Sequence, residues 1–560
     1  MKKISILLIS GLFVLNVSNA QDKQNKKEKV KVSGAVESNA QYYNEKDDKL
    51  GFVAPNNRFR SNNYLKLNVS YKGFSTGGQF EAYAPDVLLG YPENLKGSGL
   101  TNYYVAYNSK KISATIGHYY EQFGSGLVLR SWEDRQLGIN NALFGAKVQY
   151  TPTDAVSFKA IYGKKREAYS LSEGVVWGTD AELNFTKLFK QNEQQKGSFT
   201  TGFSYVGKQE KYTGNIANFP ETVHLFSLRT SYQKNNLILN AEYALHTKDG
   251  CVNDLGNVVN TNKFFNGNVL QLGGTVSGKN SAFNFTLRQV KNFGMYTDRK
   301  AKLNQLLLNY VPALTAQHHY SLSNIYVYNP QVKFSFLPGN LLNNTGEIGG
   351  QIEWLKTFPK KSKLGGKYGM FLKINLSHYS GLAFDGTDVN TAKVYNFKAA
   401  KTNFRDFNIE VKKTWNAKVK TNFSFINMLY NQKAIEGYGS DNIKTNILVA
   451  EGIFKLKKGH SIKADIQHLW AENDYRGNWV AATFEYGIAP MLNFFVADMY
   501  NYGNSVKQVH YYNAGASFTK GTFRFMASYG RQREGLLCVG GVCRLVPASS
   551  GFTFTTSYSF

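Results

Sequence analysis

The sequence predicts an all-β chain, a transmembrane antiparallel up-and-down β-barrel of about 20–26 strands, with long loops on one rim and short turns on the other. Three observations carry this. Segment after segment alternates apolar and polar residues with period two. Short and long connections take turns along the chain. An export leader opens the chain, and no later run reaches the roughly 18–20 apolar residues of a membrane helix.

Lys2 and Lys3 precede an apolar run from Ile4 to Val17, and Ser18-Asn19-Ala20 offers the small residues a signal peptidase reads. Residues 1–20 are therefore expected to be a signal peptide, 21–29 a short polar periplasmic segment, and 30–560 a single barrel. So short a leading segment disfavours a receptor plugged by an amino-terminal domain. Aromatics make up 14% of the chain, and 51 Gly stand against 11 Pro, which suits many short, turn-punctuated strands. The formal charge of +27 would point to nucleic acid in an intracellular protein. Export removes that reading, so the expected partners are membrane lipid, lipopolysaccharide phosphate and other acidic surface polymers, with no nucleic acid.

Leu65, Leu67, Val69 and Tyr71 share one face against Lys66, Asn68 and Ser70, and Lys72-Gly73 then turns the chain. Further short turns are read near 109–111, 151–155, 233–235, 279–280, 329–330, 413–417, 457–460, 487–491 and 519–521. Longer loops are read near 44–61, 84–99, 121–142, 163–175, 207–221, 247–267, 291–318, 379–403, 430–441 and 531–550. Connections 187–197 and 356–367 are too long for their place on the short rim. Counting segments gives about 26 strands, with the stretch 291–346 poorly patterned.

The polar faces carry acid beside base. Glu347, Gln351 and Glu353 oppose Ile348, Ile352 and Trp354; Lys373, Asn375 and Ser377 oppose Leu372, Ile374 and Leu376; Asp406, Asn408 and Glu410 oppose Phe407, Ile409 and Val411. A charge on the lipid face costs about 2–4 kcal/mol at the midplane, so these rows are expected to line a wet or densely hydrogen-bonded, nearly charge-balanced lumen. Lysines at the short turns, such as Lys110, Lys111, Lys360, Lys361, Lys457 and Lys458, read as solvated ends beside anionic headgroups.

The last strand places Phe552, Phe554, Tyr558 and Phe560 on one face and Thr553, Thr555, Ser557 and Ser559 on the other. It resembles the carboxy-terminal signal strand of bacterial outer-membrane proteins, a resemblance that implies membrane insertion through the barrel-insertion machinery. Glu121-Gln122-Phe123-Gly124-Ser125-Gly126-Leu127-Val128-Leu129-Arg130, the Cys538-Val539-Gly540-Gly541-Val542-Cys543-Arg544-Leu545-Val546-Pro547 hairpin and this strand together resemble an uncharacterised family of Bacteroidetes-type outer-membrane barrels. The resemblance covers most of the mature chain and implies fold and an outer-membrane location, without a substrate.

Residues 120–135 alternate poorly and concentrate charge. Folded into the barrel mouth, the loop would be a constriction holding Arg130 and Arg135 against Glu133 and Asp134; left outside, it would be a surface loop with local ion pairs. Ser131 with Asp134 suggests a short turn of helix. Gly540-Gly541 suits a two-residue turn that sets Cys538 opposite Cys543, about 4.5–5.5 Å apart, a separation a disulfide fits. A redox or metal role is disfavoured because no His lies alongside. Cys251 is read as a free or intermolecularly available thiol. Adjacent His318 and His319 point to opposite faces, and no catalytic set, metal site or cofactor motif can be assigned. Asp385-Gly386-Thr387-Asp388-Val389-Asn390 lacks the length and distal Glu of a calcium loop. The expected function is a porin-like channel for small hydrophilic solutes. The alternative is a non-conducting structural or accessory barrel for envelope assembly or protein secretion, with envelope proteins as partners; an enzyme is not expected.

Overall fold

The computed structural model describes residues 29–191, 197–252, 257–259, 261, 263–301, 305–337, 341–539 and 542–560, without the side chains of 337, 537–539, 542 and 543. The expected signal peptide thus lies outside the described residues. These residues form one closed barrel of 24 antiparallel strands, each paired with its neighbours in sequence. The first strand, Lys31–Tyr43, pairs with the last, Ser549–Ser559, and closes the cylinder. No helix among the described residues is long and apolar enough to cross a membrane.

Alternation places the side chains. Ile116 and Ile466 are 71% and 65% exposed on the outer wall, whereas Asn375 and Ser377 on the inner wall are fully buried. The polar rows over 347–353, 373–377, 406–410 and 463–467 all face inward. Tyr71, Phe74, Tyr107, Phe283, Trp354, Phe454 and Phe525 project outward beside the short turns, and Tyr42, Tyr103, Tyr162, Tyr243 and Trp470 project outward nearer the other rim. An apolar band between two aromatic girdles is the surface a barrel presents to lipid.

Turn chemistry keeps one rim short. At Lys72-Gly73 both residues have positive φ, 47° and 83°, the conformation of a two-residue turn matched to strand twist. Similarly brief connections occupy 109–111, 154–155, 235–236, 279–280, 415–418, 456–459, 489–491 and 521–522. The two exceptions read from the sequence lie on this rim. One, 185–197, starts with the short helix Phe185–Leu188, capped by Asn184, whose side chain accepts from Lys187 N at 2.9 Å. The other is 359–369.

Several expectations fail, for physical reasons. The turn read at 329–330 does not join barrel strands. Residues 292–346 form a single connection between Ser281–Lys291 and Glu347–Phe358, which adjoin in the barrel. That accounts for 24 strands in place of 26. The loop read over 163–175 shrinks to a turn at 168–169, because Val156–Glu167 and Ser170–Asn184 stay paired beyond the membrane band. The loop over 379–403 likewise shortens to 386–392. No helical turn forms at 131–135; Glu133–Asp134 pairs with Ile139–Asn140 as a small hairpin.

Candidate functional site

The outer half of the lumen is filled by the chain's own connections. Residues 120–142 and the described parts of 292–346 turn inward from the long-loop rim, and each stretch of barrel wall holds part of them.

Along the first strands, the anchor is Arg135. Its Nη1 donates to Glu37 Oε2 at 2.7 Å and its Nε to Glu133 Oε1 at 3.0 Å, while the guanidinium lies 4.3 Å above the Tyr64 ring. Beside it, Arg166 grips Glu81 through two bonds of 2.8 and 2.7 Å, with both side chains almost wholly buried. Two parallel charge-assisted bonds fix orientation as well as distance.

The next stretch of wall is apolar on the inside. Val176, Val206, Leu225, Val269 and Val290 pack against Phe123, Val128 and Leu129 of one connection and Phe293, Met295 and Leu308 of the other. The two connections also bond to each other: Arg130 N donates to Leu308 O and Tyr310 N to Gly126 O, both at 3.0 Å. Asn309 Nδ2 bridges Leu127 O and Phe293 O at 2.8 and 2.7 Å. Each fully buried aliphatic side chain contributes about 1.5–3 kcal/mol, so this cluster is a core inside a barrel.

Opposite, Tyr320, Leu322, Ile325, Tyr326 and Tyr328 pack on Tyr379, Phe404, Ile426, Tyr430, Ile447, Leu469 and Trp479. The connection is pinned to a pair on two neighbouring wall strands, Arg288–Glu347, 2.7 Å apart and fully buried. Arg288 Nη1 donates to Pro312 O at 2.6 Å, and Glu347 Oε2 accepts Gln331 N at 2.8 Å and the Tyr328 hydroxyl. Burial, and then the Glu347 carboxylate, push the Tyr328 phenol well above its ordinary value, so it stays a donor. Buried charges hold only when paired and hydrogen-bonded, so the connection and the wall depend on one another here.

Glu121 roots the shorter connection. Lys147 and Lys159 reach its carboxylate at 3.2 and 3.0 Å from the inner wall. Burial alone would raise this carboxyl, but the two ammonium groups hold it below the usual range. Toward the short-turn rim the lumen opens into a cavity of about 610 Å³ that includes Ser125, Glu182, Arg229 and Glu242.

The four residues read as a constriction therefore divide. Arg135 and Glu133 form an ion pair, 3.0 Å apart. Arg130 instead lies 4.1 Å from the Tyr310 ring and 5.1 Å from the Trp132 ring, and Asp134 Oδ1 accepts Leu137 N at 3.0 Å inside a turn. Phe552, Phe554, Tyr558 and Phe560 share the outer face; Phe552 stacks on Phe554 at 6.3 Å and Tyr558 on Phe560 at 5.8 Å. The backbone register sets Cys538 opposite Cys543, while their side chains lie outside the described residues, as do Gly540 and Gly541. Cys251 is free but buried beside Val259 and Phe334, which corrects the idea of an available thiol; burial pushes it up to about 12. His318 and His319 separate, the former 3.1 Å from Asp406 and the latter largely exposed. Among the described residues no cluster of three or more His, Cys, Asp or Glu could hold a metal ion.

The apolar part of the lumen was not anticipated. Its signal was available: Val175-Val176-Trp177, Met428-Leu429-Tyr430 and Ile447-Leu448-Val449 are apolar on both faces, which a strand between lipid and water would not be.

A transmembrane-type barrel with an internally filled lumen is the class these features define. The whole chain, residues 1–560, matches the family of unknown function DUF6029, and the protein belongs to that family. No curated protein matches it. Among solved structures it is similar to the siderophore receptor PirA from Pseudomonas aeruginosa, at 8% identity over 96% of this chain and 81% of that one, with a TM-score of 0.41. It is also similar to the P pilus usher PapC translocation pore, at 8% identity over 94% and 99% of the two chains and a TM-score of 0.41. For OccK1 (OpdK) from Pseudomonas aeruginosa the values are 9%, 94%, 98% and 0.35.

Proposed function

We propose that the protein is an outer-membrane barrel whose lumen is shut at its outer half in the resting state, and that it serves as an accessory barrel in envelope assembly or secretion, not as an open diffusion porin. The observation that carries this reading is the hold that the fully buried wall pair Arg288–Glu347 takes on the 292–346 connection through Pro312, Tyr328 and Gln331. The apolar outer band and its two aromatic girdles support the membrane setting. A channel for small hydrophilic solutes is the second reading. It is favoured by the polar cavity of about 610 Å³ on the short-turn side, and it requires residues 292–346 to leave the lumen first.

Reconstitution in planar bilayers tests the choice. The parent protein should show no steady discrete conductance, and removal of 313–334 should produce it while heat-modifiable migration persists. Discrete conductance steps from the unmodified protein would overturn the accessory reading in favour of the porin. Co-purification with envelope proteins after mild solubilisation is expected on the accessory reading.

A further inference from the structure

A second cavity, of about 730 Å³, lies on the long-loop side of the filled lumen, which puts it on the opposite side from the polar space described above. Its volume is within the range of small-molecule sites. Its walls come from the ends of barrel strands, from Lys49, Leu50, Gly90, Ile325 and Val327, from the connections 431–442, 473–478 and 501–512, and from residues 533–536 and 545–548.

Two chemistries meet there. The first is an aromatic wall: Trp479 is buried and stacked on Tyr511 at 5.9 Å and 22°, and Tyr475 stands at the mouth, more than half exposed. The Trp479 indole Nε1 is buried without an acceptor. A buried donor left unmade costs about 1–3 kcal/mol, so this N–H favours a ligand that brings an acceptor. The second is positive charge that the cavity's acids match only in part: Lys49, Arg476, Lys507 and Arg533 line it beside Glu436 and Glu534. Arg476 spends its Nε on Asp474 at 2.8 Å and leaves buried Nη2 without a partner. Arg533 donates only to two carbonyls, Glu534 O at 2.8 Å and Asn324 O at 3.2 Å, and meets no carboxylate among the described residues. Burial, and then the neighbouring Arg476, lower the Arg533 guanidinium from its ordinary value, against a smaller opposing pull from Glu436.

We propose that this cavity binds an acidic carbohydrate, whose carboxylate sits on Arg533 and Arg476 and whose ring lies against Trp479 and Tyr475. A sugar presents C–H faces that pack on aromatic rings and oxygens that accept the orphan indole N–H. A carboxylate matches the guanidinium fork. The inference does not depend on whether the lumen ever opens.

Calorimetric titration of the full chain in detergent tests it, with glucuronate- and galacturonate-containing disaccharides, their neutral methyl esters, and benzoate. The acidic sugars should bind about tenfold or more tightly than the esters, as a charge-assisted bond implies. Arg533→Gln should erase that preference with heat-modifiable migration intact, and Trp479→Phe should weaken acid and ester alike. Equal binding of acid and ester, benzoate matching the sugars, or no binding of the acidic sugars to a folded barrel would each overturn the proposal.

Discussion

Phe560 and Gly34 lock the seam of the barrel: Gly34 N donates to Phe560 O at 2.9 Å, Phe560 N donates back to Gly34 O at 3.0 Å, and the Phe560 ring lies over the glycine. A Cβ at position 34 would stand 2.4 Å from Phe560 Cζ, so only glycine leaves the ring its place. Gly34→Val should therefore displace the terminal ring at an overpacking cost of about 1–3 kcal/mol. Deleting Phe560 removes both bonds and the end of the outward aromatic row. Both variants should show lower membrane abundance and a lower temperature of heat-modifiable unfolding, the deletion more so. Parent-like abundance and migration in both would count against a role for this residue in closure and insertion.

The cysteines should separate into two chemical classes. Cys538 and Cys543 face each other in register, and we expect a bond between them. It closes a loop much shorter than the 15 residues for which chain entropy gives about 3 kcal/mol, so its stabilisation should be less than that. Cys251, its thiol pushed up to about 12 by burial, should resist alkylation at pH 8 until the protein unfolds. In peptide mapping, Cys538 and Cys543 should alkylate only after reduction, and Cys251 after unfolding alone.

Breaking the Arg288–Glu347 pin from one side should be worse than removing it whole. Glu347→Gln leaves a buried, uncompensated guanidinium, a loss of about 3–5 kcal/mol, and frees the acceptor of the Tyr328 hydroxyl. Arg288→Met combined with Glu347→Leu removes both charges and should recover most of that stability. Chemical unfolding in detergent reads the difference; equal losses in the single and the double variant would mean that the pair does not bear on stability.

Glu121 makes the shorter connection sensitive to acid. Its folded pKa is lowered by Lys147 and Lys159 against the effect of burial, so it lies below the unfolded value near about 4.3. A depressed carboxylate contributes stability that is complete above the unfolded pKa and is lost as pH falls through the folded one. Protease access to residues 120–142 should rise as pH falls below about 4, and Glu121→Gln should show that access already at neutral pH. No change across this range would remove Glu121 as the root of the connection.

What was legible in the sequence follows from how local each cause is. Outward rows such as Leu65, Leu67 and Val69 declare themselves by alternation, because lipid and lumen act on neighbouring residues in opposite ways. The positive-φ turn at Lys72-Gly73 is equally local. The interior was hidden because its cause is not local. Tyr320, Leu322, Tyr326 and Tyr328 fall two, four and two residues apart, as on one face of a strand, yet they form none; they fit a cavity whose walls lie up to about 150 residues away in sequence, as Tyr326 with Asp474 illustrates. Arg135 stands out in the sequence as part of a charge cluster, yet its partner Glu37 stands in the first strand, and no spacing rule joins the two.

That long-range pair supports the final prediction. Arg135 is matched by two carboxylates, whereas Arg130 rests on the rings of Tyr310 and Trp132, a contact of about 0.5–2 kcal/mol. Arg135→Gln leaves Glu37 and Glu133 without their shared cation, so residues 131–141 should lose their hold on the first strands. Arg130→Gln removes the ring contacts and a side-chain hydrogen bond to Tyr310 but no ion pair, and the backbone bond from residue 130 to Leu308 O remains. Hydrogen exchange should therefore accelerate across 131–141 in Arg135→Gln and change little in Arg130→Gln. If the connection lines a passage once 313–334 is removed, the charge that acts on passing ions is the one without carboxylate partners, so Arg130→Gln in that background should shift ion selectivity toward cations at low salt, the effect fading as salt shortens the field. An unchanged reversal potential in that variant, with conductance intact, would place Arg130 away from the ion path.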